Sequence, residues 1–396
     1  MAGCTGLLAT PPAPGATLRT TANAAASAAS SAPQVSVPGA SAPLPPGATT
    51  IDTAFDFGDV TWSPDGTTVA AEALGQTVGT GTVDLFTPAG VRLASIPGYA
   101  FGWLDATRLL VFTPSPADAL TGTVSVWSSD GHLVERLAGQ FGGVLANGHG
   151  AAVLRMAPPQ AAYGGNDFAF WSGGTPGPMI AGPGIPQTWS PDGRLLAVPQ
   201  STSTVQSPGR IVLASSGGPI LGYLHVLRYP GGTEVGSFRD HPIDLQGGVA
   251  FSPDSRYLAA GNVAAAGVLV FDLVTGRVAS VPMAVSAWRW APDGRLAITG
   301  PDGMTRLWST DGTLAPSGLR PGDPIYGPRL SDVAILPRGQ GPGLAVTLQT
   351  ARGSVTVPVA VSGMPVAWAP DGLSCLLSTG GTGYPGGARL VRVALP

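Results

Sequence analysis

The residue types that carry most enzymatic chemistry are scarce in this chain. Its 396 residues include four histidines (His132, His149, His225 and His241) and two cysteines, Cys4 and Cys375. No two histidines stand at a metal-ligand spacing and no cysteine accompanies them, so no metal centre is expected. The acidic stretch Asp56-Phe57-Gly58-Asp59 offers too few oxygens for six-fold Ca²⁺ coordination and reads as a strand edge. No Gly-x-Ser-x-Gly nucleophile elbow is present. What remains is recognition chemistry, concentrated in two polar clusters. Arg239, Asp240 and His241 stand together in RDHP, and Arg320, Asp323, Tyr326 and Arg329 share RPGDPIYGPR. Guanidinium, carboxylate, imidazole and phenol groups held together suit a ligand or a partner surface. They are the candidate site, with no catalytic residue and no cofactor expected.

Something must hold such groups in place, and composition limits what it is. Apolar residues make up 44% of the chain and charged residues only 11%. The 58 glycines and 40 prolines, about a quarter of all residues, predict many turns and little long helix. All 20 basic residues are arginine, and the 23 acids include only three glutamates. With so much Ala and Gly, this is the bias expected of a GC-rich bacterial genome. A net charge of -3 without a dense arginine cluster argues against a nucleic-acid partner. No apolar window of 18 residues predicts a transmembrane helix. Cys375 lies in the apolar run Leu373 to Leu377, where a buried free thiol is expected.

Residues 1–50 are almost wholly Ala, Pro, Ser, Thr and Gly, with Arg19 the one charge and no aromatic residue. Such a segment buries too little apolar surface to offset its ordering entropy and is expected to be a disordered tether. Ala2-Gly3-Cys4 resembles the end of a bacterial lipoprotein signal, in which the cysteine is lipidated, although the charged and apolar regions that precede such a cysteine are missing. The resemblance implies a lipid anchor at Cys4 and an extracytoplasmic location. The alternative is a cytoplasmic protein with an ordinary tail.

Residues 51–396 repeat. TWSPDG at Thr61 to Gly66 returns at Thr188 to Gly193, with looser copies AFSPDS at Ala250, RWAPDG at Arg289 and AWAPDG at Ala367. Each copy joins two short apolar strands through a tight turn. Proline presets φ, Asp bonds nearby amides and Gly accepts positive φ. An apolar strand ending in an aromatic follows, as at Phe86, Trp127, Phe271 and Trp308, then a Gly turn and another strand. Four short strands per unit make the meander of a propeller blade. Landmarks at Trp62, Trp103, Val144, Trp189, Phe251, Trp290, Ile335 and Trp368 count eight blades. Seven is the alternative, with the Ile335 and Trp368 units merged. The last unit is one strand short, and Ile51 to Ala54 is expected to supply it and close the ring, leaving no open sheet edge there. Eight of the nine tryptophans, all but Trp288, fall at the end of a first or third strand, where they would pack blade on blade.

The WSPDG hairpins with their apolar second strands resemble the repeats of the TolB and WD40-like β-propeller families. The resemblance implies an all-β propeller over residues 51–396. It leaves function open, because such propellers serve as scaffolds, binding modules, sensors and enzyme appendages. The boxes of sialidase-type propellers are not matched: Ser128-Ser129-Asp130-Gly131 and Ser309-Thr310-Asp311-Gly312 place Gly directly after Asp, with no Trp at the right offset. Asp272 to Arg277 echoes a quinoprotein repeat once, without its Trp. On a propeller the two polar clusters become inter-blade loops, beside a Ser- and Gly-rich insertion from Pro199 to Leu221. The expectation is a monomeric, non-catalytic scaffold with a protein partner on its loop-rich face. A small-molecule or glycan sensor, or a propeller hydrolase, is the alternative.

Overall fold

The computed structural model describes residues 46–52, 57–74, 81–98, 100–116, 118–156, 167–182, 184, 186–201, 221–262, 267–337, 344–359, 366–379 and 389–395. Cys4 and most of the Pro199 to Leu221 insertion lie outside them. The described residues contain thirty-two strands and no helix. In chain order the strands form antiparallel meanders of four, spanning 57–97, 100–136, 141–180, 188–237, 243–280, 287–316, 323–359 and 366–394. The last is completed by Ala48–Asp52. Four meanders are separate sheets. The other four are joined in pairs, because a long third strand reaches the first strand of the next meander at Phe141 opposite Gly122 and at Ile243 opposite Gly222. Glycine is needed there: a Cβ on Gly122 would stand 2.2 Å from the Thr113 carbonyl oxygen, and one on Gly222 would stand 2.7 Å from that of Gln200.

Local chemistry explains each first turn. In the first copy Gly66 takes φ +73° and its amide donates to the Ser63 carbonyl at 2.9 Å. The Ser63 hydroxyl donates to Asp65 at 2.6 Å and accepts the Thr68 amide at 3.0 Å. Ser190 and Ser252 repeat both bonds. Ser255 holds the glycine position of AFSPDS at φ +61°, a conformation disfavoured for a residue with a Cβ. Its hydroxyl compensates by accepting the Asp192 amide of the preceding meander at 3.2 Å.

The first strands of successive meanders approach one another and line the axis. Their tryptophans tie them together. The Trp189 indole donates to the Leu145 carbonyl at 3.0 Å, Trp290 to Ala250 at 2.9 Å and Trp368 to Ile325 at 3.1 Å, each one meander back. Trp62 donates in the same way to Ala367 of the last meander at 3.2 Å. Ala48–Asp52 pairs antiparallel with Arg389–Ala394, so the N-terminal strand completes the last sheet. These two links close the ring, and the fold is a β-propeller of four-stranded blades. Apolar residues from adjacent meanders fill the space between sheets, as where Val153, Phe168 and Phe170 meet Trp189, Leu196 and Val198. Cys375 is a buried free thiol whose pKa burial raises.

Three details differ from the sequence reading. The closing strand is Ala48–Asp52 rather than Ile51 to Ala54, so it begins inside the segment read as tether. Ile335 lies on the second strand of its meander, Val333–Leu336, and the first strand is Asp323–Tyr326. RPGDPIYGPR is therefore not simply a loop, and Tyr326 holds the place that tryptophan takes elsewhere. The Ile335 and Trp368 regions form two separate sheets.

Trp103 sits in the landmark position, but its buried indole nitrogen has no protein partner among the described residues. Replacing Trp189 by Phe, which strands the Leu145 carbonyl, is expected to cost about 1–3 kcal/mol more than its lost packing. Trp103→Phe carries no such excess. Urea unfolding of the two variants measures the difference, and equal losses would show that the indole bonds do not hold the ring.

Candidate functional site

The two faces of the ring differ in how much chain each uses. Connections between first and second strands run from four to six residues in every meander. Those between second and third strands, on the opposite face, run from two, between Ser115 and Asp118, to nineteen, between Ser201 and Leu221. The uniform face is also cross-linked from turn to turn. His149 Nε2 lies 2.7 Å from the Pro191 carbonyl, the Asn147 amide donates to Gly193 O at 3.3 Å, and Arg329 donates to Asp371 O at 3.3 Å. Its carboxylates are satisfied locally. Burial opposes ionisation of Asp65 and Asp192, but the Ser63 and Ser190 hydroxyls and turn amides lower both pKa values. At Asp130 the Ser128 hydroxyl lowers it and at Asp311 the Thr313 amide does. These acids build turns.

The residues singled out in the sequence separate in space. Arg239, Asp240 and His241 lie on the connection between the fourth and fifth meanders, on the variable face. Arg239 and Asp240 are exposed, whereas the His241 ring packs edge-on to Phe271, 6.3 Å between centroids. Arg320 is exposed on the connection leading to the seventh meander, and Asp323 begins that meander's innermost strand. Tyr326 packs against Ala291, Ala297 and Leu307. Burial, then the charge of Asp293, pushes its hydroxyl up to about 12 against the opposing pull of Arg295. Arg329 belongs to the uniform face through its bond to Asp371.

Three polar residues outside the two clusters are more unusual. Glu72 is buried on a second strand. Burial raises its pKa, aided by the charge of Asp59, although the Asp59 amide donates to it at 3.3 Å. Arg289 stands on an innermost strand and its pKa is lowered by desolvation. Charged groups whose ionised form the surroundings disfavour are candidates for function. His225 is buried, with Nδ1 2.6 Å from Glu234 and 3.4 Å from the Ser237 hydroxyl, and Nε2 3.0 Å from Gln200. A nucleophile–base–acid relay needs serine and carboxylate on opposite ring nitrogens. Here both meet Nδ1, so His225 clamps three strands of one blade. Glu72 and Arg289 each interrupt a strand that is otherwise apolar, which is the signal the sequence offered. Among the described residues no three His, Cys, Asp or Glu side chains converge to hold a metal ion.

No protein-family model matches this sequence, and no curated protein does. Among solved structures, a eukaryotic initiation factor is similar at 15% identity over 81% of each chain, with a TM-score of 0.49. The Cps50 (Swd1) β-propeller domain of Myceliophteria thermophila is similar at 12% identity, over 86% of this chain and 97% of that one, with a TM-score of 0.44. Hsv2 of Kluyveromyces lactis gives 13% identity, 81% and 89% coverage and a TM-score of 0.42. Likeness at this level carries no functional argument, and the fold assignment rests on the strand pairing and ring closure above.

The strongest turn acid offers a test of this electrostatic division. Burial works to raise the Asp272 pKa, but the Arg256 guanidinium at 3.0 Å and the amides of Val274 and Thr275 hold it at about 2. A depressed folded-state pKa adds stability that is fully present above the unfolded value near 4 and is lost as pH falls through about 2. Asp272→Asn should therefore lower Tm at pH 6, with the gap closing by pH 2. A gap that stays constant with pH would assign the loss to packing.

Proposed function

We propose that this chain is a non-catalytic binding or scaffold module, an eight-bladed propeller of TolB- and WD40-like kind that engages a protein partner through its variable face. The observation that carries the reading is the segregation of chain length. A repeat built from one kind of turn keeps that turn wherever it serves the scaffold, and departs from it where loops serve recognition. The exposed Arg239, Asp240 and Arg320 stand on the departing face.

The Ala2-Gly3-Cys4 stretch and the composition of residues 1–50 support a tethered reading. Ala48 pairs with Val393 at the end of a third strand, so the chain enters the ring from the uniform face. In this proposal the protein is lipid-anchored outside the cytoplasm, acts as a monomer and needs no cofactor.

Two measurements test it. A photo-crosslinking residue at position 240 should capture the partner in cells, and one at position 311 on the uniform face should not. Capture at 311 alone would reverse the assignment of faces. Metabolic labelling of the protein in its native host with an alkyne fatty acid should mark it, and Cys4→Ser should abolish the mark. An unlabelled native protein would remove the anchor and leave a cytoplasmic scaffold as the reading.

A further inference from the structure

The innermost strands carry four charged residues among the described ones: Asp59, Asp244, Arg289 and Asp323. Arg289 is their single cation. Its neighbours Trp288 and Trp290 pack back against the fifth meander, with Ala259, Val268 and Val270. By the alternation of a strand, Arg289 leaves on the opposite side with its cross-strand partner Ala297, which packs beside Tyr326 of the seventh meander. Its side chain is exposed, and it makes no hydrogen bond or ion pair with any described residue. Arg92, Arg108, Arg256, Arg295 and Arg306 each pair with an aspartate at 3.4 Å or less. Asp323 acts on Arg289 as a nearby charge without closing to an ion pair.

We propose that Arg289 anchors a carboxylate-binding subsite on the channel wall, between the innermost strands of the sixth and seventh blades. A guanidinium presents a planar fork that matches a carboxylate with two parallel N–H···O bonds. This one is reachable by solvent and unpartnered, so an incoming anion displaces no existing bond. Desolvation by the surrounding wall already lowers its pKa, and a bound anion would relieve that cost. Asp323 biases the choice of anion: its negative charge repels a dianion such as phosphate more strongly than a singly charged carboxylate. The carboxylate comes either from a small organic acid or from an acidic side chain or C-terminus of a peptide threaded into the channel mouth. The inference deepens the binding reading by naming a ligand chemistry. Its test needs no protein partner, so the two can fail separately.

The test is NMR of the full chain labelled in arginine, following the Nε–H resonance that is missing in Arg289→Lys. Acetate, an acidic tripeptide and inorganic phosphate are titrated at constant ionic strength. A saturable shift with acetate and tripeptide, and a weaker one with phosphate, is the expected result. Response to the tripeptide alone also supports the site and assigns it to peptides. Arg289→Gln should weaken the binding measured by calorimetry about tenfold or more. Arg289→Lys, which keeps the charge and loses the fork, should weaken it less. Asp323→Asn should admit phosphate, and Arg306→Gln should change nothing. A resonance that does not move, or one that responds to phosphate as strongly as to acetate in the native chain, overturns the proposal. So does undiminished binding in Arg289→Gln.

Discussion

The fold depends on a constraint at its axis: the innermost strands must be held side by side without pairing as a sheet. Each first strand has one edge bonded to its own meander and one edge turned inward. Beyond the short contacts at Phe141 and Ile243, which reach a third strand, no backbone ladder joins one first strand to the next among the described residues. The indole of the landmark tryptophan does the bridging, reaching the carbonyl of the preceding first strand from Trp189, Trp290 and Trp368. The same bond from Trp62 to Ala367 spans 305 residues of chain and uses no other device. Loop-closure entropy grows only logarithmically with length, so closing over so long a loop costs little more than closing over one blade. One hydrogen bond is still too weak to secure the ring. The pairing of Ala48–Asp52 with Arg389–Ala394 adds a whole ladder at the same seam and removes a free edge.

That division of labour explains which parts of the architecture were legible from sequence. Turn chemistry is local, so Ser-Pro-Asp-Gly announced its hairpins, and landmark tryptophans placed first strands correctly. The seventh meander was misread because it lacks both signs. Tyr326 replaces the tryptophan, and its six-residue connection, Gly327 to Asp332, contains no Asp-Gly turn. The apolar run Val333–Leu336 then looked like a first strand when it is a second. Tyr326 was read from its polar stretch alone, and its packing on Ala291 and Leu307 had no signal there.

The candidate site was less legible, and the reason is physical. Loop charge is visible in sequence as charge, and Arg239, Asp240 and Arg320 are where a reading of loops would put them. Glu72 and Arg289 sit in short strands among Ala and Trp, where alternation assigns a charged residue to the solvent side. Glu72 is instead buried, and Arg289, although exposed, shares with it surroundings that disfavour the ionised form. Only the arrangement of blades around an axis makes the side of a strand turned away from one neighbour crowded by the next. This is a property of closure, and no window of sequence contains it.

The electrostatics of the two faces follow from the same geometry. A turn four to six residues long brings its carboxylate back onto its own amides, so acids on the uniform face are consumed by the structure that displays them, as Asp65, Asp192 and Asp272 are. The innermost strands offer no such return. Their amides are engaged in the ladder on one edge, and a charged side chain there must find its partner on another blade or from outside. Arg289 finds none among the described residues. A scaffold that satisfies its turn acids locally has no structural use for an open guanidinium on its axis, which is why function is better sought there than among the more numerous charges of the rim.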